Sequence, residues 1–315
     1  MKRFAVLLAG VAIIAAMSLM SCSNKGPSGG KQKRTVGVSL LTKAHPFYQQ
    51  LEAAMSEEAA KRNITLAIQS AENELGAQNS QVDDFITQKV DAIVVCPVDS
   101  ASIVGAIGRA NQANIPVFTA DIAAAGGKVV CHIASDNVAG GRLAGEYMVK
   151  LLGGKGKIVI IDFPLVTSVK DRTKGFVEAV GKSKIQIVDR PSAEGDRAKA
   201  MAAMDSMLQR HPDIKGVFAI NDNTALGVLS SLQHAKREDI VVVGYDGDPE
   251  ARAAILRGSP LKADAVQYPR EIGKTTIDMV AKRLDGQRNL PPTVPVRVGI
   301  IDKASLEAEA ATKTK

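Results

Sequence analysis

Short, β-branched apolar runs alternate along this chain with segments of helical period, and the connections between them are brief. Residues 36–41 (VGVSLL) read as a strand. After His45-Pro46, Phe47, Leu51, Ala54 and Met55 share one face of a helix whose other positions carry Glu57, Glu58, Lys61 and Arg62. Strands at 64–68 and 91–95 bracket a helix at 77–88. Asp99-Ser100 caps a helix at 101–113, and 115–119 is again a strand. Strands joined in this way by helices run parallel, with right-handed crossovers.

The rhythm restarts after a strand at 129–133. It runs helix 138–152, strand 157–161, helix 171–181, strand 185–188, helix 196–210, strand 216–220 and helix 224–234. Strand 240–244, helix 249–256, strand 261–266 and helix 270–284 complete it. Of the 315 residues, 282 follow Lys33, more than one core usually organises. The expectation is an α/β protein of two doubly wound, Rossmann-like lobes; the period is too long and irregular for a solenoid. Residues 305–315 are polar and alanine-rich and are expected to fray.

The amino terminus reads as an export signal. Lys2 and Arg3 precede an apolar stretch at 4–20, and small Ser21 precedes Cys22. Seventeen apolar residues lie at the lower edge of membrane-spanning length. Leu19-Met20-Ser21-Cys22 resembles a bacterial lipobox, with Met20 where a small residue is more usual. That resemblance implies a signal peptide at 1–21 cut before Cys22, a diacylglycerol on the Cys22 thiol, and a lipid-anchored protein in the periplasm or on the outer face of the cytoplasmic membrane. Residues 22–33, rich in Gly, Ser and Lys, form the tether.

Charge narrows the partners. The net charge is +7, but six cationic residues ahead of Thr35 meet no acid, which leaves +1 on the body. With no Trp, 7 Phe and 4 Tyr, the chain lacks both the field and the stacking surface of a nucleic-acid binder.

In open parallel sheets, ligands bind beyond the carboxyl ends of the strands. Asp121, Asn221-Asp222, Asp246 and Gln267 each follow a strand. Singly each fits a helix cap or a turn; four in register point to a polar cleft. No catalytic constellation is visible: there is no Gly-x-Gly-x-x-Gly after the first strand, no P-loop and no nucleophile elbow. Gly153-Gly154-Lys155-Gly156 sits between a helix and a strand as a turn. His45, His132, His211 and His234 lack metal-ligand spacing, so neither enzyme activity nor a metal or other cofactor is expected.

Four segments carry a family resemblance: Ala110 to Val117 (ANQANIPV), His132 to Asn137 (HIASDN), Val217 to Asp222 (VFAIND) with Ala225-Leu226-Gly227, and Val242 to Gly247 (VVGYDG). Together they resemble the ribose-type periplasmic sugar-binding proteins of ABC importers, over nearly all of residues 36–298. The resemblance implies a periplasmic binding protein type 1 fold. Its first lobe would comprise 34–135 and 268–294, and its second 136–267 and 295–304. The crossings would lie near Ser135 and Asp136, Gln267 and Tyr268, and Val294 to Val296. It also implies that the strands carrying Cys96 and Cys131 flank the 115–119 strand, about 9.5 Å apart. A disulfide needs about 7 Å or less, so both are expected as free thiols.

The family's pocket carries over onto an aromatic pair sandwiching the sugar ring at Phe47 and Tyr48, a carboxylate at Asp121 and an arginine at Arg172. Asn221, Asp246 and Gln267 fill the remaining ligand positions. Carboxylates and amides suit vicinal hydroxyls, and arginine offers a rigid set of donors whose removal should weaken binding and leave the fold intact. Ile122 replaces a second arginine, Gly195 a stacking phenylalanine, and His45 an asparagine. These departures imply an enlarged pocket with altered specificity, for a ribose-like or other monosaccharide, a sugar alcohol or a furanosyl signalling molecule. His45 is open to two readings, ligand contact or helix start. The implied mechanism is hinge closure of a monomer that hands its sugar to ABC permease subunits. The alternative is a sensor presenting its closed form to a membrane receptor. A sugar-responsive repressor would need a helix-turn-helix where this chain has a leader and tether.

Overall fold

The computed structural model describes residues 34–313; the leader, Cys22 and the tether lie outside them. The first winding is β1 (Arg34–Leu40), α1 (Pro46–Lys61), β2 (Ile64–Ser70), α2 (Leu75–Thr87), β3 (Ala92–Val95), α3 (Val104–Gln112), β4 (Val117–Ala120) and β5 (Val129–Ser135). The chain then crosses into α4 (Asn137–Leu151), β6 (Lys155–Ile161), α5 (Thr167–Val180), β7 (Lys184–Asp189) and α6 (Arg197–Arg210). The same winding continues through β8 (Ile214–Ala219), α7 (Asp222–His234), β9 (Val241–Asp246), α8 (Pro249–Leu256) and β10 (Leu261–Val266). It returns through α9 (Pro269–Leu284) and β11 (Thr293–Val296), and crosses a last time into β12 (Gly299–Asp302) and α10 (Lys303–Lys313).

Two six-stranded sheets result, ordered β11-β5-β4-β3-β1-β2 and β12-β10-β9-β8-β6-β7. Every pairing is parallel except β10 with β12. Both faces of each sheet are buried, which is why the central strands read as unbroken apolar runs. In β8, Val217 and Ala219 face one apolar cluster and Phe218 the other. In β3, Ala92 and Val94 face the α1 and α9 side, with Ile93 and Val95 under α2 and α3. As expected, β4 lies between β3 and β5, and Cys96 and Cys131 are buried free thiols.

Two expectations need correction. Residues 305–315 do not fray as a whole. Helix α10 runs through most of them, because Ser305 and Asp302 bond reciprocally at its start and Leu306 is buried in the apolar cluster beneath α8. The third crossing is not at Val294 to Val296. Pro295 and Val296 pair with Ala134 and Ser135 in the first sheet, so the chain passes over at Arg297 and Val298. The other two fall where expected, at Asp136 and at Gln267-Tyr268.

Helices α4 and α5 pack almost backbone to backbone. A Cβ on Gly141 would stand 1.7 Å from the Arg172 carbonyl oxygen, and one on Gly175 would stand 2.0 Å from that of Val138. This approach fixes how deep Arg172 lies.

Candidate functional site

In each sheet the winding reverses around one strand, β1 between β2 and β3 and β6 between β7 and β8, which opens a crevice at the strands' carboxyl ends. The two crevices face one cavity of about 220 Å³. Its lining includes every position expected from the sequence: His45, Phe47, Tyr48, Asp121 and Ile122 from the first lobe, and Arg172, Gly195, Asn221, Asp246 and Gln267 from the second.

On the first lobe, the Tyr48 hydroxyl donates to Asp121 Oδ2 at 2.6 Å. Burial pushes the Asp121 carboxyl up to about 6; the Tyr48 bond and the Arg172 charge oppose that rise. Phe47 and Tyr48 do not sandwich a ring between them. Their rings meet edge to face at 76° with centroids 5.2 Å apart, as neighbours at a helix start must, so they make one corner of the wall. The helix-start reading of His45 holds. Its Nδ1 caps α1 by accepting from the Phe47 amide, while Nε2 reaches across to Asp246 Oδ2 at 3.5 Å.

On the second lobe, Arg172 is 4% exposed and already bound within its own lobe. Its Nη1 donates to the Ile220 carbonyl and Nη2 to Asn137 Oδ1 at 3.1 Å. The guanidinium lies 3.8 Å from the Tyr245 ring centroid and 3.7 Å from Asp246 Oδ1. Removing Arg172 would therefore disturb the fold, contrary to the expectation from sequence. Gln267 Nε2 donates to Asp246 Oδ1 at 2.7 Å. Arg172 Nε and Gln267 Oε1 are buried without a partner. Asn221 caps α7 through Thr224 N and donates from Nδ2 to the Gly195 carbonyl, so its cap reading holds alongside its place in the lining. Gly195 has φ +68, and a Cβ there would meet Asn221 Nδ2 at 2.9 Å; a backbone demand accompanies the space it leaves.

Several lining residues escaped the sequence reading. Phe163, just after β6, stands beside Gly195, 3.9 Å from where its Cβ would be, and restores an aromatic to the lining. Asn73 and Glu194 also line the cavity, both at positive φ. Asp248, two residues beyond Asp246, brings its carboxylate to 3.7 Å from His45 Nδ1. Burial, with Asp246 adding to it, raises the Asp248 carboxyl to about 7. His45, Asp246 and Asp248 place ligand atoms within 4.8 Å of one another, but His45 Nδ1 is committed to its cap. Between the lobes, Thr167 at the start of α5 donates its amide to Ser100 Oγ at 3.1 Å. The Thr167 hydroxyl accepts from the Ala123 amide at 3.0 Å and donates to the Ala123 carbonyl at 3.2 Å. The lobes are thus in direct contact.

A two-lobed frame with a polar cavity at the switch points is shared by proteins of several functions, so the match to known sequences decides. A family model described as the periplasmic binding protein domain matches residues 36–288. The chain belongs to the periplasmic binding protein family. Within that family it is of the ribose type. The ribose import binding protein of Bacillus subtilis is 36% identical over 289 residues, covering 88% of this chain and 94% of that protein. The D-apiose import binding protein of Actinobacillus succinogenes is 31% identical over 235 residues, covering 73% and 76%. An ABC transporter solute binding protein from Mycobacterium smegmatis, solved with bound glycerol, has a TM-score of 0.82 at 35% identity, covering 87% and 96%. Periplasmic binding proteins of this type serve ABC transporters as substrate-binding proteins, not as enzymes, and work on the outer side of the cytoplasmic membrane. Among the described residues no helix is long and apolar enough to cross a membrane.

Proposed function

We infer that this periplasmic binding protein captures a monosaccharide or polyol between its lobes and delivers it, by hinge closure, to the permease of an ABC importer. The observation that carries the reading is that polar side chains of both lobes, Asp121 from the first and Arg172, Asp246 and Gln267 from the second, line one cavity. Carboxylates, a carboxamide and a guanidinium brought together in this way suit the vicinal hydroxyls of a sugar or polyol. At about 220 Å³ the cavity is smaller than the roughly 300–1,000 Å³ typical of drug-sized ligands, which suits one small ring. Contacts from both lobes give a ligand differential affinity for the closed state, which is what population shift requires.

The test is calorimetry and thermal shift against D-ribose, D-apiose, other pentoses and hexoses, myo-inositol and xylitol. A true ligand at a thousandfold excess over its Kd adds about 4 kcal/mol of stability. A panel without any shift removes the reading.

Lipid on Cys22, anchoring a monomer in the periplasm or on the outer face of the cytoplasmic membrane, completes the proposal. Mass spectrometry of membrane-extracted protein should find an acylated Cys22 as first residue; mature protein that starts at Met1 refutes it.

A further inference from the structure

The cavity has two chemically different sides. Asp121, Arg172, Asp246 and Gln267 supply charge and unmet hydrogen-bonding capacity. Leu41, Ile122, Phe163, Val166 and Val169 supply none. These five line the same cavity and belong to one apolar cluster, with Ile122, Val166 and Val169 buried and Leu41 and Phe163 packed against them. Leu41 and Ile122 come from the first lobe and the rest from the second, so this wall exists only where the lobes meet.

Four main-chain groups along the wall are already bonded. The Leu41 carbonyl accepts from Asn73 N and the Val166 carbonyl from Lys170 N. The Ile122 amide donates to the Ala120 carbonyl and the Phe163 amide to Asp162 Oδ1. A ligand hydroxyl packed against these five side chains would leave water and gain no bond from them, whereas a C–H or methyl edge would pack. Apolar pockets discriminate against an added hydroxyl by roughly tenfold to a hundredfold.

We propose that the cleft selects a deoxy sugar, a furanose or pyranose whose hydroxyls face Asp121, Arg172, Asp246 and Gln267 while a deoxy carbon or methyl group packs on Ile122, Phe163 and Val166. The proposal rests on the sugar-binding reading and narrows it.

Matched pairs differing by one oxygen test it on the unaltered protein by calorimetry: 2-deoxy-D-ribose against D-ribose, L-fucose against L-galactose, and L-rhamnose against L-mannose. In the pair that binds most tightly, the deoxy member should bind at least about tenfold better. Ile122→Thr, which puts a hydroxyl into the wall, should narrow that ratio below about threefold, the tenfold preference being worth only one such contact. Equal affinity, or preference for the hydroxylated member, overturns the proposal whether or not the variant folds. If none of the six binds while xylitol or myo-inositol does, the deoxy assignment falls and the sugar-binding reading stands. If no carbohydrate binds at all, both fall.

Discussion

Strands β2-β1-β3-β4-β5 of the first lobe and β7-β6-β8-β9-β10 of the second repeat one winding, yet the two lobes bury different chemistry. In the first, the buried acids are Glu58, answered by Lys61 and Arg62, and Asp121, answered by Tyr48. The second buries Asp162, Asp222, Asp246, Asp248 and Asp264 with Arg172 among them. Asp222 at the start of α7 and Asp264 on β10 act on each other electrostatically. Burial holds Asp222 well above the carboxylate range and lifts Asp264 to about 7, so near neutrality this region retains protons that exposed acids would lose. The winding does not require this. The charge accumulates where the second lobe's strand ends must hold Asp246 and Arg172 rigidly, and the first lobe contributes a lighter, partly apolar edge.

Arg172→Ala should open the largest gap between the lobes. It strips partners from Asn137, the Ile220 carbonyl and Asp246, and should cost about 3–5 kcal/mol of stability with at least about tenfold in affinity. The first-lobe counterpart, Tyr48→Phe, loses one bond to Asp121 and should cost about 1.5–3 kcal/mol. Urea unfolding of both variants checks the ranking, and an equal or larger cost for Tyr48→Phe breaks the comparison.

Gly141→Ala should lower stability by about 3 kcal/mol, because its Cβ meets a backbone oxygen that cannot step aside. Gly108→Ala in α3, with nothing within 4 Å, should instead gain about 0.4–1 kcal/mol. Thermal denaturation reads both signs.

The pH response should track the second lobe. Because the folded-state pKa of Asp264 is raised to about 7, its contribution to stability is fully present below the ordinary carboxylate pKa and is lost as pH rises through 7. Asp264→Asn removes that penalty. The melting temperature of the variant relative to the parent should therefore be more favourable at pH 8 than at pH 5; a constant difference would show that Asp264 is not strained by its charge.

The smallest effect is expected at the Thr167 contact between the lobes. Thr167→Val keeps the shape and removes the hydroxyl shared with the Ala123 amide and carbonyl, at about 0.5–1.5 kcal/mol. Affinity should fall up to about tenfold, and small-angle scattering of the ligand-free variant should show a larger radius than the parent.

The central strands were legible because burial on both faces leaves runs such as Ala92–Val95 without polar interruption. Strands β11 and β12 were not, since edge strands need no such run and β11 contains Pro295, which an edge tolerates. The cavity residues that follow strands, Asp121, Asn221, Asp246 and Gln267, were legible from topology alone. Phe163 was hidden because its role depends on Gly195, distant in sequence and adjacent in space. The Thr167, Ser100 and Ala123 contacts were hidden for the same reason: nothing local marks a hydroxyl that will meet another lobe. For Arg172 the type and place were readable, but its bonds within the second lobe were not, and those decide whether it is expendable to the fold.

The late crossing at Arg297 and Val298 bears on how such a protein can be modified as a module. Strand β11 completes the edge of one sheet and β12, directly after it, completes the edge of the other. Neither lobe is therefore a continuous piece of gene. A chain stopped before Thr293 lacks an edge strand in both sheets, and exchanging one lobe for that of a relative requires two separate segments and three junctions to be matched together.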